Sequence, residues 1–345
     1  MSLSRYVKKC CNFALGTSIP VLALCYADSS LRTAIGKLAE QRELQLLYTQ
    51  NFEKALSDGQ SSSCSVFDAI VSEIEEQLPL HSIVQNLRDS RSTDQNGEKK
   101  LFLWNELKFQ SIVRILTTLC VITECNMLTK VSLTILGRKD FCLRASQKYS
   151  ANFHDTFQKD SDPAILMGIV YVLEKKQLPF LIEHVSSSVH KFFESTSPTD
   201  IMKVDNIYAS LEGTMNDVFL RYKFEFSQDR EELLSEISKK YVVTGGLSQM
   251  LDELEDFVTE ADAELIFSTQ MRLLLSHLKT FLPTEDARLA KMLSFFTKFS
   301  GSITESPVKE SFFESISHNS EARTFASIIY SSFDRKFSAI ENSTV

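Results

Sequence analysis

The chain has 345 residues, of which 43% are apolar and 24% charged, the balance of a folded globular protein and too apolar for a disordered one. Ten glycines and seven prolines are too few to supply the turns that an all-β or doubly wound fold requires. A formal net charge of −8 argues against nucleic acid as a partner, and seven cysteines without regular spacing read as reduced thiols instead of a disulfide framework.

The charge is unevenly distributed. Residues 1–27 carry Arg5, Lys8 and Lys9 and no acid, whereas the remaining 318 residues hold 34 basic and 45 acidic side chains. From Cys10 to Tyr26 seventeen residues pass without a charge, which as a helix spans roughly 25 Å, the short end of what crosses a bilayer. This pattern predicts a membrane anchor and targeting segment over 1–27. A signal peptide is the competing reading, since the basic start and the small Ala27 suit one too. Arg32, Lys37 and Arg42 balance the basic residues before the anchor, so charge does not orient it.

Beyond the anchor, residues 28–345 read as helix after helix. Ser29-Ser30 can cap a helix with an apolar stripe at Leu31, Ile35 and Leu38, later Leu46 and Leu47. The stretch 37–43 is polar enough to be solvated, as in a stem over 28–60. Val66, Phe67, Ile70, Val71, Ile74 and Leu78 repeat at helical spacing and stop before Pro79. Ile83, Val84 and Leu87 make a short helix, and the polar stretch 88–98 reads as a mobile loop.

Next comes a helix from Lys99 to Leu136 that is apolar around almost its whole circumference, with Gly137 as a C-terminal stop. Its longest uncharged run, Ile115 to Thr123, is too short for a span, which makes it the central buried helix of a bundle. Helices are expected over Ala164 to Leu173 and Phe180 to Phe193. Ser197-Pro198-Thr199-Asp200 gives a cap opening a helix towards Phe226. Further helices follow over Asp229 to Val243, Leu247 to Phe281, Pro283 to Gly301, Val308 to Ser317 and Glu321 to Phe333. The fold class is therefore all-α, an elongated bundle around one long apolar helix, preceded by an anchor helix.

The start of that long helix holds the single tryptophan. Leu101, Phe102, Leu103 and Trp104 point almost all the way round the axis at about 100° per residue, so one of them looks away from the core unless both sides are covered. An exposed aromatic edged by lysines suits docking of a partner helix; a core tryptophan at a helix start is the alternative.

Catalytic patterns are missing from the sequence. Gly245-Gly246 lacks the residues of a phosphate-binding loop and reads as a turn. The six histidines are scattered without metal-ligand spacing, and no Gly-x-Ser-x-Gly elbow occurs. Asp252-Glu253 and Glu255-Asp256 read as a solvated face. No catalytic residue, cofactor or metal is assigned.

The segment Lys100-Leu101-Phe102-Leu103-Trp104-Asn105-Glu106-Leu107-Lys108 opens the long apolar helix, which closes on Leu133-Thr134-Ile135-Leu136-Gly137. Following a basic N-terminus, a short anchor and a polar stem, this arrangement resembles the peroxin-3 family of peroxisomal biogenesis factors. Leu289-Ala290-Lys291 and the stretch from Phe325 to Phe333 are similar to the family's later helices; 137–281 matches mainly in helical texture. The resemblance implies a single-pass protein of the peroxisomal membrane with its bulk facing the cytosol. It would be the docking receptor for peroxin-19, the soluble carrier of peroxisomal membrane proteins, whose N-terminal amphipathic helix would lie in an apolar groove. On that reading Trp104 is the aromatic anchor, Leu101 and Leu107 flank it, Leu87 adjoins the groove, and Lys100 and Lys291 supply rim charge. Peroxisome inheritance or turnover factors are further partners the resemblance allows. The alternatives from other classes are a soluble helical scaffold or tethering subunit and a membrane-associated enzyme.

Overall fold

The computed structural model describes residues 29–89, 97–149, 161–224, 230–243, 245–283 and 286–332. The anchor of 1–27 and the middle of the 88–98 loop lie outside these residues. The chain divides into two units, Met1–Gln50 and Asn51–Val345. Of the first, the structure describes the opening turns of α1 (Ser29–Gln77), where residues 39–43 are exposed.

Among the described residues, the second unit's regular elements are helices apart from one two-residue strand pair. After α1 come α2 (Leu80–Asp89), α3 (Gly97–Tyr149) and α4 (Ser161–Val172), which runs through a π-helical turn (Leu173–Gln177) into α5 (Leu178–Phe193). There follow β1 (Ile201–Met202), α6 (Val204–Phe219), α7 (Arg230–Ser238), α8 (Gly245–Val258) and α9 (Ala261–Phe281). The chain closes with β2 (Ala287–Arg288), α10 (Leu289–Ser302), α11 (Val308–Ser317) and α12 (Ser320–Ser331). The two strands pair antiparallel, Ile201 opposite Arg288.

Helix α3 is the axis. Every residue from Ser111 to Leu136 is buried, because α2, α4, α5, α8, α9, α10, α11 and α12 all pack against it and α1 lies alongside. Although α3 is long and apolar enough to cross a bilayer, its apolar stretch is wholly enclosed by the protein's own helices, as befits a core helix. Hydroxyls within it are hidden on its own backbone: Thr118, Thr123 and Thr134 donate to the carbonyls of Arg114, Leu119 and Lys130 at 2.7, 3.0 and 2.6 Å.

Its cations are used differently. Lys108 donates to the carbonyls of Phe193 and Thr196 at 2.8 and 2.6 Å, where α5 ends. Arg114 donates to the Leu78 carbonyl just past α1 at 3.3 Å and to the Glu75 carboxylate at 2.9 Å. Arg138 takes the carbonyls of Ile329 and Ser332 at 3.0 and 2.6 Å at the end of α12 and pairs with Glu253. Each of these three cations donates to carbonyls at or just past a helix end, the negative end of the helix dipole.

Several elements differ from the sequence expectation. Gly137 does not stop α3, which continues to Tyr149; a Cβ there would stand 2.9 Å from Ala55 Cβ and 3.4 Å from the Tyr330 ring, so glycine serves the close approach of neighbouring helices. The stem and the Val66 to Leu78 helix are one helix, α1. The Ser197 to Asp200 cap is spent on a turn, Asp200 Oδ2 accepting from the Ser197 amide at 2.7 Å, and α6 begins at Val204. The helix expected over Leu247 to Phe281 breaks at Glu260, whose backbone is extended. Neither glycine nor proline marks that break.

Two predictions follow from the interior of α3. Gly137→Ala should destabilise the fold by about 1–3 kcal/mol, the cost of overpacking, and Ala55→Gly in the same chain should recover part of it; urea unfolding of the single and double variants measures both. Glu124 is fully buried, its Oε1 accepting from the Tyr222 hydroxyl at 2.6 Å, and burial pushes its carboxyl up to about 8. The folded protein therefore holds a proton that the unfolded chain releases above its ordinary value, so this group's contribution to stability falls as pH rises from about 4.5 to about 8. Glu124→Gln should raise the urea midpoint more at about pH 9 than at about pH 5.

Candidate docking site

Helix α2 places Leu80, Ile83 and Leu87 on one face by i, i+3, i+7 spacing, and α3 places Leu103 and Leu107 one turn apart. These five close on one another as a small buried cluster with Val84 and Trp104 packed on it. Trp104 also packs against the main core, so it bridges the two. Leu87 and Leu107 are buried in the floor of this cluster.

Of the four large apolar side chains at 101–104, Leu103 turns inward and Trp104 is half-buried, while Leu101 and Phe102 are 49% and 66% exposed. Helix geometry required at least one to look away; two do, and neither is the tryptophan. At 100° per residue Leu101 lies about 60° round the axis from Trp104, on its flank, whereas Phe102 faces nearly the opposite side. Lys99 and Lys100 are exposed beside them.

One turn further along, Lys108 is 1% exposed and its ammonium lies 4.4 Å from the Phe109 ring centroid. Phe109 in turn stacks on His190 at 4.0 Å. Burial pulls the Lys108 amine down, and Asp200 and Glu194 act against that shift. The segment that Lys108 holds, 194–200, is also bound to the start of α10. The Ala290 amide donates to the Pro198 carbonyl at 2.9 Å, and the Leu289 amide to the Asp200 carbonyl at 2.8 Å. Lys291 thus stands exposed on the first turn of α10, connected with this end of α3 through Lys108 and the segment.

The structure therefore brings Trp104, Leu87 and Leu107 into one cluster, sets Leu101 and Lys100 exposed on the adjoining turns of α3, and leaves Lys291 outside the cluster. Sequence reasoning did not assign Leu80, Ile83 and Leu103, although their helical spacing with Leu87 and Leu107 carries the signal. It also missed the role of Lys108, which nothing in the local sequence reveals because its partners lie 85 and 88 residues away.

Chemistry of other kinds finds little footing among the described residues. No group of three His, Cys, Asp or Glu side chains could hold a metal. Burial pushes the thiols of Cys120 and Cys125 well above their ordinary value, which makes them poor nucleophiles.

The peroxin-3 sequence profile matches residues 26–166, the stretch that holds α1, α2 and α3. An uncharacterized protein of Schizosaccharomyces pombe is 40% identical over 337 residues, covering 96% of this chain and 97% of that one. Peroxisome biogenesis protein 3-1 of Arabidopsis thaliana is 20% identical over 272 residues, 75% of each chain. The chain belongs to the peroxin-3 family. Membership gives this peroxin-3 homologue a role in peroxisome biogenesis at the peroxisomal membrane, in a family of biogenesis factors and not of known enzymes.

Replacing Lys108 with methionine would remove its bond to the Thr196 carbonyl and one of the bonds to the Phe193 carbonyl, which also accepts from Thr196. Lys108→Met should destabilise the protein by about 1–3 kcal/mol and speed amide exchange in 194–200 and the first turn of α10 more than elsewhere, as read by hydrogen exchange with mass spectrometry.

Proposed function

We propose that the Trp104 end of α3 is the docking surface for the N-terminal amphipathic helix of peroxin-19. On this reading the chain is a membrane-anchored receptor, its bulk in the cytosol, for import and insertion of peroxisomal membrane proteins. The observation that carries the reading is the exposure of Leu101 beside half-buried Trp104, over an apolar cluster separate from the main core, in the segment matched by the family profile. An apolar helix face laid on Leu101 and Trp104 would complete their burial, and Lys100 and Lys291 would meet acidic residues along the edge of the docked helix. Phe102, nearly opposite Trp104, would lie outside the footprint of a single helix. Half-burial also favours affinity, because a side chain already held by its neighbours loses little freedom on binding.

Because Trp104 is the only tryptophan, its emission reports on this surface alone. Titrating the chain in detergent micelles with the N-terminal helix of peroxin-19 should give a saturable blue shift. In calorimetry Trp104→Ala should weaken binding by about 2–4 kcal/mol, roughly 30-fold to 1000-fold, with Lys100→Ala and Lys291→Ala costing well under that. Larger losses from the two lysines than from Trp104 would contradict the reading.

A further inference from the structure

Lys130 stands apart from the other buried cations of α3. It is 9% exposed, and no carboxylate or carbonyl among the described residues pairs with it. Its stem lies against α1, since a Cβ at Gly59 would lie 3.1 Å from Lys130 Cγ. Lys130 lines a cavity of about 310 Å³ between α1, α3 and the turn from α11 to α12, together with Glu53, Gln60, His318 and Arg323. On its other side it borders a hollow of about 20 Å³ shared with Gln270. The Gln270 amide oxygen accepts from Asn126 at 3.1 Å, while its Nε2 is buried without a partner.

Both unpaired groups are donors. Glu53 is already paired with Arg323, the α9 side contributes only the neutral Gln270, and His318 is exposed. The charge of Lys130 is therefore uncompensated in a place where water solvates it poorly. The first turn of α12, capped by Asn319 accepting from the Ala322 amide at 2.7 Å, borders the same cavity and adds the positive end of a helix dipole. The volume is at the lower end for small-molecule sites.

We propose that this cavity binds a small soluble anion, a carboxylate or a phosphate, with Lys130 as its counter-charge. The anion supplies the acceptor that the Lys130 ammonium lacks. Burial holds the Lys130 amine down to about 8, so the empty site loses its charge on mild alkalisation, and binding an anion favours the protonated amine.

The test is calorimetric titration of the full chain in detergent micelles with inorganic phosphate and, separately, with citrate. At about pH 6.5 one of the two should bind saturably, and binding should weaken at least about tenfold at about pH 9.5 and in Lys130→Met, which keeps the stem and drops the charge. Should Lys130→Met fail to fold, the pH series on the parent chain and mass-spectrometric acylation of Lys130, slowed by the bound anion, carry the same test. The proposal is overturned if neither anion binds below about 10 mM, if binding survives Lys130→Met or alkaline pH, or if the anion leaves Lys130 acylation unchanged.

Discussion

Everything in this fold answers to the burial of α3 on all sides. A helix with 26 consecutive buried residues, Ser111 to Leu136, has no solvated face on which to place its polar groups, and a polar group left unsatisfied in such surroundings costs free energy. Thr118, Thr123 and Thr134 return their hydroxyls to the helix backbone, and Lys108, Arg114 and Arg138 reach out to the ends of α5, α1 and α12. One set of contacts thereby serves three buried cations and the carbonyls at helix ends together.

The same constraint bears on the proposed docking surface. Where α3 begins, α2 covers it with a short apolar face, and Leu101 and Phe102 remain in solvent. The proposed site is thus a place where the cover over the spine is incomplete, one turn from Lys108 and the segment it binds. Peroxin-3 family membership gives the chain a role in peroxisome biogenesis.

Much of this could be read from the residues, because helical periodicity is strong where one face is buried and scarce glycine and proline leave few other options. The all-α class, the central role of the Lys99 to Leu136 run and the α2 stripe all rest on that signal. Trp104 stood out for similar local reasons, although its half-buried position depends on Leu80, Ile83 and Leu103 closing beneath it. What escaped the sequence is tertiary. Gly137 carries the local mark of a helix stop but serves the close passage of Ala55 and Tyr330. The capping signal at Ser197 to Asp200 is diverted into a turn bound to α10, and the break at Glu260 has no local marker. Lys108 and Lys130 look alike in sequence, yet one has two carbonyl partners and the other none, a difference set by elements far along the chain.

The most direct test is hydrogen exchange over the whole chain in detergent micelles, with and without the peroxin-19 N-terminal helix. Without it, amides of 111–136 should exchange only through global unfolding, while those of 97–107 exchange faster. With it, protection should appear in α2 and in 97–110 and leave 111–136 as it was. New protection confined to other helices, or rapid exchange in the middle of α3, would contradict the account of a buried spine with one exposed, peptide-binding end.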